Sequence, residues 1–232
     1  VEYSTSRVEE LDQLDGYILK KGSPSCGMER IKAYTGGMPS QRNRSGLFAR
    51  ELMRRWPGLP VEEDGRLNDP ALRENFIERV FCRNRWRALV AGKRSRRRLV
   101  EFHTAHKLLI RAHNEAAYRR LGKIVGEAGR TSDEELFASY ELEFQTALKT
   151  KATRKKHANV LYHAMGYLKK LLPGVEKQAL ITAIEDYRQG LLPLIVPLTL
   201  LRYDIQRHGI DYLAAQLYFD PHPKELMLRN HA

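Results

Sequence analysis

One thiol stands out for its setting. Cys26 sits in the turn Lys20-Lys21-Gly22-Ser23-Pro24-Ser25-Cys26-Gly27, with two lysines ahead of it and a hydroxyl on either side of Pro24. A turn punctuated by Gly and Pro can present backbone N–H groups and a side chain at its tip. Positive charge beside a thiol favours the thiolate, the form that binds metal and attacks as a nucleophile. The turn therefore suits a metal ligand or a reactive thiol. The plainer reading is a loop whose Cys26 is a small buried hydrophobe. No second ligand or general base is spelled nearby.

The elements that must hold this turn are short. Tyr17-Ile18-Leu19 reads as a buried strand leading into it, with Arg7 to Leu14 as the tail of a preceding helix. Ile31 to Tyr34 reads as extended, and Thr35 to Ser45 as a loop. Gly46 to Arg55 fits a short helix with Leu47, Phe48 and Leu52 inward, stopped by Pro57-Gly58. Leu59-Pro60-Val61 suits an edge strand. Asp69-Pro70 opens a longer helix, with Asp as cap and Pro at the first helical position. Leu72, Phe76, Ile77, Val80 and Phe81 line one face of that helix. Cys82, Trp86 and Leu89 line another, so Cys82 reads as a packing residue.

The stretch Asp15 to Gly27 resembles the last cysteine motif of the thiouracil desulfidase (TudS-like) family. The likeness continues through Gly46-Leu47-Phe48-Ala49-Arg50, Arg66 to Pro70 and Arg73 to Phe81. The resemblance implies a [4Fe-4S] cluster held by three cysteines, whose open iron takes sulfur from a thiolated pyrimidine, with water replacing it and no net redox change. Cys26 would be the third ligand, Ser23 and Ser25 the candidates to orient substrate or water with motif position not saying which, and Lys20 a group to stabilise anionic sulfur or RNA phosphate. The family's other two cysteines, and a glutamate beside the second, precede the strand that corresponds to Tyr17. The chain is therefore expected to be the carboxy-terminal part of a longer enzyme, and by itself cluster-free and inactive.

Composition points to an anionic partner. The formal net charge is +12, which favours nucleic acid over a membrane surface or an acidic protein. Residues 1–92 hold 16 Lys/Arg against 13 Asp/Glu, and residues 93–232 hold 24 against 15, so the surplus lies mainly in the second part. The run Gly92 to Arg98 marks the expected boundary. Hydrophobic content of 42% supports real cores, and two cysteines suit a reducing cytoplasm better than a disulfide scaffold. The longest apolar stretch, Leu191 to Leu201, is interrupted by prolines and too short to span a bilayer. Zinc spacings, P-loops and nucleophile elbows are missing. Nothing fixes the oligomeric state.

After residue 92 the pattern is helical throughout, which predicts an α/β part (a desulfidase remnant) followed by an all-α bundle. One helix is expected from Leu99 to about Leu121, with His106 and His113 as structural residues in its apolar stripe. His103, Lys107, Arg111 and Asn114 recur at spacings that put them on one exposed face without an acid among them. Such a face suits phosphate and ribose oxygens. A second helix starts near Thr153, with His157 toward the core. Lys156, Asn159, His163, Tyr167 and Lys170 share its outer face, where an aromatic among cations also permits base stacking. Arg154 and Lys155 crowd positive charge at its first turn, against the macrodipole, a conflict a phosphate would relieve.

Residues from Leu99 onward resemble the YbgA-like domain, through Glu101-Phe102-His103, Lys155-Lys156-His157, Tyr187 to Gly190 and Tyr218 to Pro223. In fused, RudS-type proteins the resemblance implies desulfuration of 4-thiouridine in tRNA, with this domain gripping the RNA. The alternatives are an RNA-binding helical module without catalysis, a desulfidase of free thiouracil, and a sulfur carrier using Cys26 as nucleophile.

Overall fold

The computed structural model describes residues 7–29, 31–35 and 38–230. The chain divides into two compact units, Val1–Asn84 and Arg85–Ala232. The division falls ahead of the basic run at Gly92, because Trp86 packs among rings of the second unit.

In the first unit, β1 (Tyr17–Leu19) pairs in parallel with β4 (Val61–Glu63), Leu19 opposite Glu63. Between them come the antiparallel pair β2 (Ile31–Thr35) and β3 (Met38–Arg44), then α1 (Leu47–Arg55). The stretch expected as a loop is thus largely strand; its residues 36–37 lie outside the described residues. Polar composition hid β3, since an antiparallel partner can satisfy its backbone whatever its side chains are. Val8, Leu19, Ala49, Leu52, Leu59 and Val61 form the core, with Tyr17, Cys26 and Phe48 packed against it. Leu47, expected inward, is exposed; Ala49 takes the inner position. Helix α2 (Pro70–Ala91) starts at the predicted cap, Asp69 Oδ1 accepting from Ala71 N at 2.8 Å and Leu72 N at 3.1 Å.

All the described helices of the second unit from residue 96 onward are α3 (Arg96–His113), α4 (Glu115–Gly126), α5 (Asp133–Lys149), α6 (Arg154–Leu168), α7 (Gly174–Gln189), α8 (Ile195–Arg207) and the short α9 (Asp211–Ala214), besides 3-10 turns. No strand occurs among them. Helix α3 packs against α4, α5 and α6. The single helix expected from Leu99 to Leu121 is two. Asn114 closes α3 in an extended conformation, and its side chain accepts from Ala117 N at 3.0 Å to cap α4. Asn favours a cap over a helix interior because its amide competes for backbone partners. Ser95, Ser132 and Thr153 cap α3, α5 and α6 in the same way.

A cluster of aromatic rings sits within the largely aliphatic core of this unit. Trp86 meets Phe102 at 5.4 Å and Tyr140 at 5.5 Å between ring centroids, and Tyr140 stacks on Phe144 at 5.9 Å. Histidines finish the packing as polar pegs. His106 Nδ1 lies 2.7 Å from Phe102 O, His113 Nδ1 2.7 Å from Thr150 O, and His157 Nδ1 3.0 Å from the Tyr218 hydroxyl. His106, His113 and His157 are the structural residues their stripes predicted. Gln216 is buried and inserts into α3, its amide donating to Thr104 O at 2.8 Å and accepting from Leu108 N at 3.1 Å. Among the described residues no helix is long and apolar enough to cross a membrane.

His103 departs from expectation. It is 3% exposed and shares a 3.1 Å hydrogen bond with the Tyr140 hydroxyl, so it belongs to the core and not to an outer basic face. Burial, and then the neighbouring Lys107 charge, push its pKa down to about 4. The unfolded chain, with an ordinary histidine near 6.5, takes up this proton first. The stabilisation is therefore complete above about pH 6.5 and is lost as pH falls toward 4, a difference of roughly 3 kcal/mol at most. Denaturation series at pH 7 and pH 4.5 are expected to show this loss, and an NMR titration to show the His103 ring neutral down to about pH 4. A ring that titrates near 6.5 refutes the assignment.

Candidate functional site

The cysteine turn is built by its own hydroxyls and by the start of α1. Gly22 takes φ +70°, which glycine adopts without strain. Ser23 Oγ accepts from Cys26 N at 3.2 Å, while Gly27 N donates to Ser23 O at 2.8 Å, closing a tight bend. Ser23 Oγ and Ser25 Oγ share a hydrogen bond at 3.2 Å, and Ser25 Oγ lies 3.4 Å from Cys26 Sγ. The two serines thus divide the labour left open by their sequence positions. Ser23 shapes the backbone, and Ser25 touches the sulfur.

The Ser25 carbonyl accepts from Phe48 N at 3.0 Å and Ala49 N at 3.2 Å. These belong to the first turn of α1, where helix N–H groups otherwise lack partners. Gly46 N donates to Gly27 O at 2.8 Å, so the turn is held at two points. A Cβ on Gly46 would lie 2.1 Å from Ser25 O. Gly46 has φ −59°, open to any residue, so closeness and not conformation demands glycine there.

Acids hold the turn from the other side. Glu63 is 4% exposed, and its Oε1 accepts from Met28 N at 2.7 Å. Glu62, 6% exposed, pairs with Arg66 Nε at 2.7 Å, and burial lowers the pKa of Arg79 against the opposing pull of Glu62. Asp64 Oδ1 accepts from Lys21 N at 3.0 Å and Gly65 N at 2.6 Å. Those backbone bonds hold the Asp64 carboxyl below its usual range, helped by the Lys20 and Lys21 charges. Lys20 itself is exposed. Sequence reasoning passed over these acids, although Glu62-Glu63 directly after an apolar strand start is an uncommon pair to bury.

Cys26 is half-buried and Cys82 fully buried, and neither is in a disulfide. A thiol at the edge of an apolar core, touched by a hydroxyl, can serve as a soft ligand or as a nucleophile. Among the described residues no three His, Cys, Asp or Glu side chains gather where they could hold a metal ion. One thiol is a single ligand, so these residues do not by themselves make an iron–sulfur site.

On the helical unit, Lys107 and Arg111 are half-buried, and Arg111 Nε is paired with Glu115 Oε2 at 2.7 Å. Asn114 is spent as a cap. On α6, Lys156 Nζ donates to His113 O at 2.7 Å and Lys151 O at 3.3 Å, tying the start of α6 to the end of α3. The Arg154 guanidinium lies against Gly190, which ends α7 at φ +87°, where the negative end of a helix favours a cation. Lys155, Asn159, Tyr167 and Lys170 are exposed, and His163 is half-buried. Of the residues expected on the outer face of α6, Lys155, Asn159 and Tyr167 are exposed, with Lys170 just past the helix end, while α3 offers Lys107 and an Arg111 paired with Glu115.

Residues 107–223, just over half of the chain, match the family model described as "Protein of unknown function (DUF1722)". The chain belongs to that family. Residues 1–64, which carry the cysteine turn, match the model described as 2-thiouracil desulfurase. The chain is also 28% identical over 158 residues to "Uncharacterized protein YbgA" of Escherichia coli (strain K12), covering 68% of this chain and 94% of that protein. No solved structure matches it. A TudS-like desulfidase segment is thus joined to a YbgA-like domain. The turn, the Gly46 clamp and the acids Glu62 to Asp64 all fall in the desulfurase match.

Gly46→Ala is expected to destabilise the first unit by about 1–3 kcal/mol and to expose the thiol. The rate of Cys26 alkylation, which the buried Cys82 does not contaminate, should rise severalfold. An unchanged rate and melting curve would contradict the clamp.

Proposed function

We propose that the chain takes part in removing sulfur from a thiolated pyrimidine, with 4-thiouridine in tRNA as the substrate and the YbgA-like unit as the RNA-docking part. The reading rests chiefly on one observation: a half-buried thiol on a turn clamped to a helix start, inside the segment that matches 2-thiouracil desulfurase. Cys26 would be one sulfur ligand of a [4Fe-4S] cluster completed by cysteines outside the described ligand set. Such a cluster would supply a site for the substrate sulfur. The chain's own contribution is to hold that thiolate, with the Ser25 hydroxyl beside it and Glu63 fixing the backbone that follows. Lys20 is positioned in sequence to meet an anion from solvent.

Charge favours a polyanionic partner. The net charge of +12 lies mostly beyond residue 92, and Lys155 on α6 and Lys170 just past its end are exposed. Phosphate contacts by such cations give affinity that falls steeply with salt. Cysteines outside disulfides suit a cytoplasmic setting. The family description favours a second reading, free 2-thiouracil as substrate; the basic helices favour RNA.

Binding of thiolated tRNA by fluorescence anisotropy is expected to weaken with salt. Replacing Lys107, Lys155 and Lys170 together by Gln should reduce affinity about tenfold or more and flatten the log–log salt slope by about 2. Photocrosslinking through the 4-thiouridine sulfur should label the Lys20–Gly27 turn, and the label should vanish with excess free thiouracil only if that base competes for the same place. Salt-insensitive binding would defeat RNA docking. Crosslinks confined to the helical unit would defeat the assignment of the turn to the thiolated base.

A further inference from the structure

The second unit holds an aromatic cluster that charge counting does not explain. Tyr167 of α6 lies 5.3 Å from Tyr212 of α9, ring to ring, at 31° between planes. His163, one turn earlier on α6, meets Tyr167 edge-on at 5.7 Å and 83°. Tyr118 of α4 stands on the same side. The Arg111 guanidinium lies 5.8 Å from the centre of its ring. The Tyr212 hydroxyl is pushed up to about 12 by burial, then by Tyr167 and Tyr118. Four helices thus bring three tyrosines, a histidine and an arginine to one place.

Tyr167 is 45% exposed, a large fraction for a ring so well supported on one side. The local charge is close to balanced. Glu115 pairs with Arg111 at 2.7 Å and stands 3.6 Å from Arg119. Burial and Arg111 both disfavour a charge on His163, and Glu115 opposes them. A phosphate gains little from such a neutralised spot. An uncharged π surface with polar edges gains more, from stacking and from the hydroxyl and imidazole donors around it. Exposed cations flank the cluster, Lys170 three residues beyond Tyr167 and Arg119 beside Tyr118, where they can meet the adjoining backbone.

We propose that the Tyr167–Tyr212 pair, bordered by His163, Tyr118 and Arg111, is a seat on which one unpaired RNA base stacks. The proposal rests on the RNA-docking reading and adds to it a preference for single-stranded or extruded nucleotides over duplex.

The test compares the full chain's affinity for a labelled single-stranded oligouridine and for an RNA duplex of equal length, by fluorescence anisotropy at fixed salt. Tyr167→Ala is expected to weaken single-strand binding about tenfold, the size of one lost base stack, and to leave duplex binding within about twofold. Tyr167→Phe, which keeps the ring, should remain near the parent. A 2-aminopurine placed in the strand should be quenched on binding by the parent and not by Tyr167→Ala. Because Tyr167 is an exposed side chain, circular dichroism should show both variants folded. Equal losses on both RNAs, or none on either, would overturn the stacking seat and leave RNA docking standing. A parent chain that binds neither RNA would overturn both.

Discussion

The cysteine turn depends on a peptide carbonyl finding the start of a helix. Ser25 O receives two N–H groups from the first turn of α1, and this contact fixes where the next residue, Cys26, can put its sulfur. Helix starts carry unsatisfied donors and a positive dipole end, and here a backbone oxygen satisfies them in place of a side-chain cap. The arrangement needs the two backbones within touching distance, which is why position 46 carries no Cβ. The thiol is thereby held by main-chain geometry, leaving its own chemistry uncommitted.

Around that contact the first unit arranges opposing charges, with Glu62 and Glu63 buried and Asp64, Lys20 and Lys21 at the surface. Glu63 reaches the backbone just past the thiol, Asp64 reaches the backbone just before the turn, and Glu62 is balanced by arginines. A buried carboxylate is costly unless bonded, so Glu63 ties its strand to the backbone past the thiol, while the exposed Asp64 adds a tether at the surface. The positive character of Lys20 and Lys21 is correspondingly tempered by Asp64.

The helical unit separates two uses of the same residue types. His103, His106, His113 and His157 are internal pegs bonded to hydroxyls or carbonyls. His163, on the same helix as His157, faces the tyrosine cluster. Lysines divide likewise: Lys156 closes a gap between helices, whereas Lys155 and Lys170 stay in solvent. Spacing of three or four tells which residues share a face, and not whether a neighbouring helix covers that face.

Much of the outline was legible in the chain itself. The β1 strand, the cap at Asp69, the start of α6 and the internal placement of His106, His113 and Cys82 follow from local rules of periodicity and capping. So did the special character of the Cys26 turn, because Gly, Pro, Ser and Cys in that order have few uses. Local rules failed where a distant partner decided the outcome. The strand at Met38–Arg44 exists because β2 pairs with it, His103 is buried because Tyr140 lies across from it, and Asn114 divides two helices whose apolar stripes run on without a break. The roles of Ser25, Gly46 and Glu63 emerge only when segments some twenty to forty residues apart come into contact, and Tyr118 and Tyr212 join Tyr167 only across helices. Sequence determined which groups were available, since residue type and spacing act locally. Tertiary structure decided which of them were spent on holding the fold and which remained to meet a ligand, since hydrogen bonds and burial are settled between segments that the sequence keeps apart.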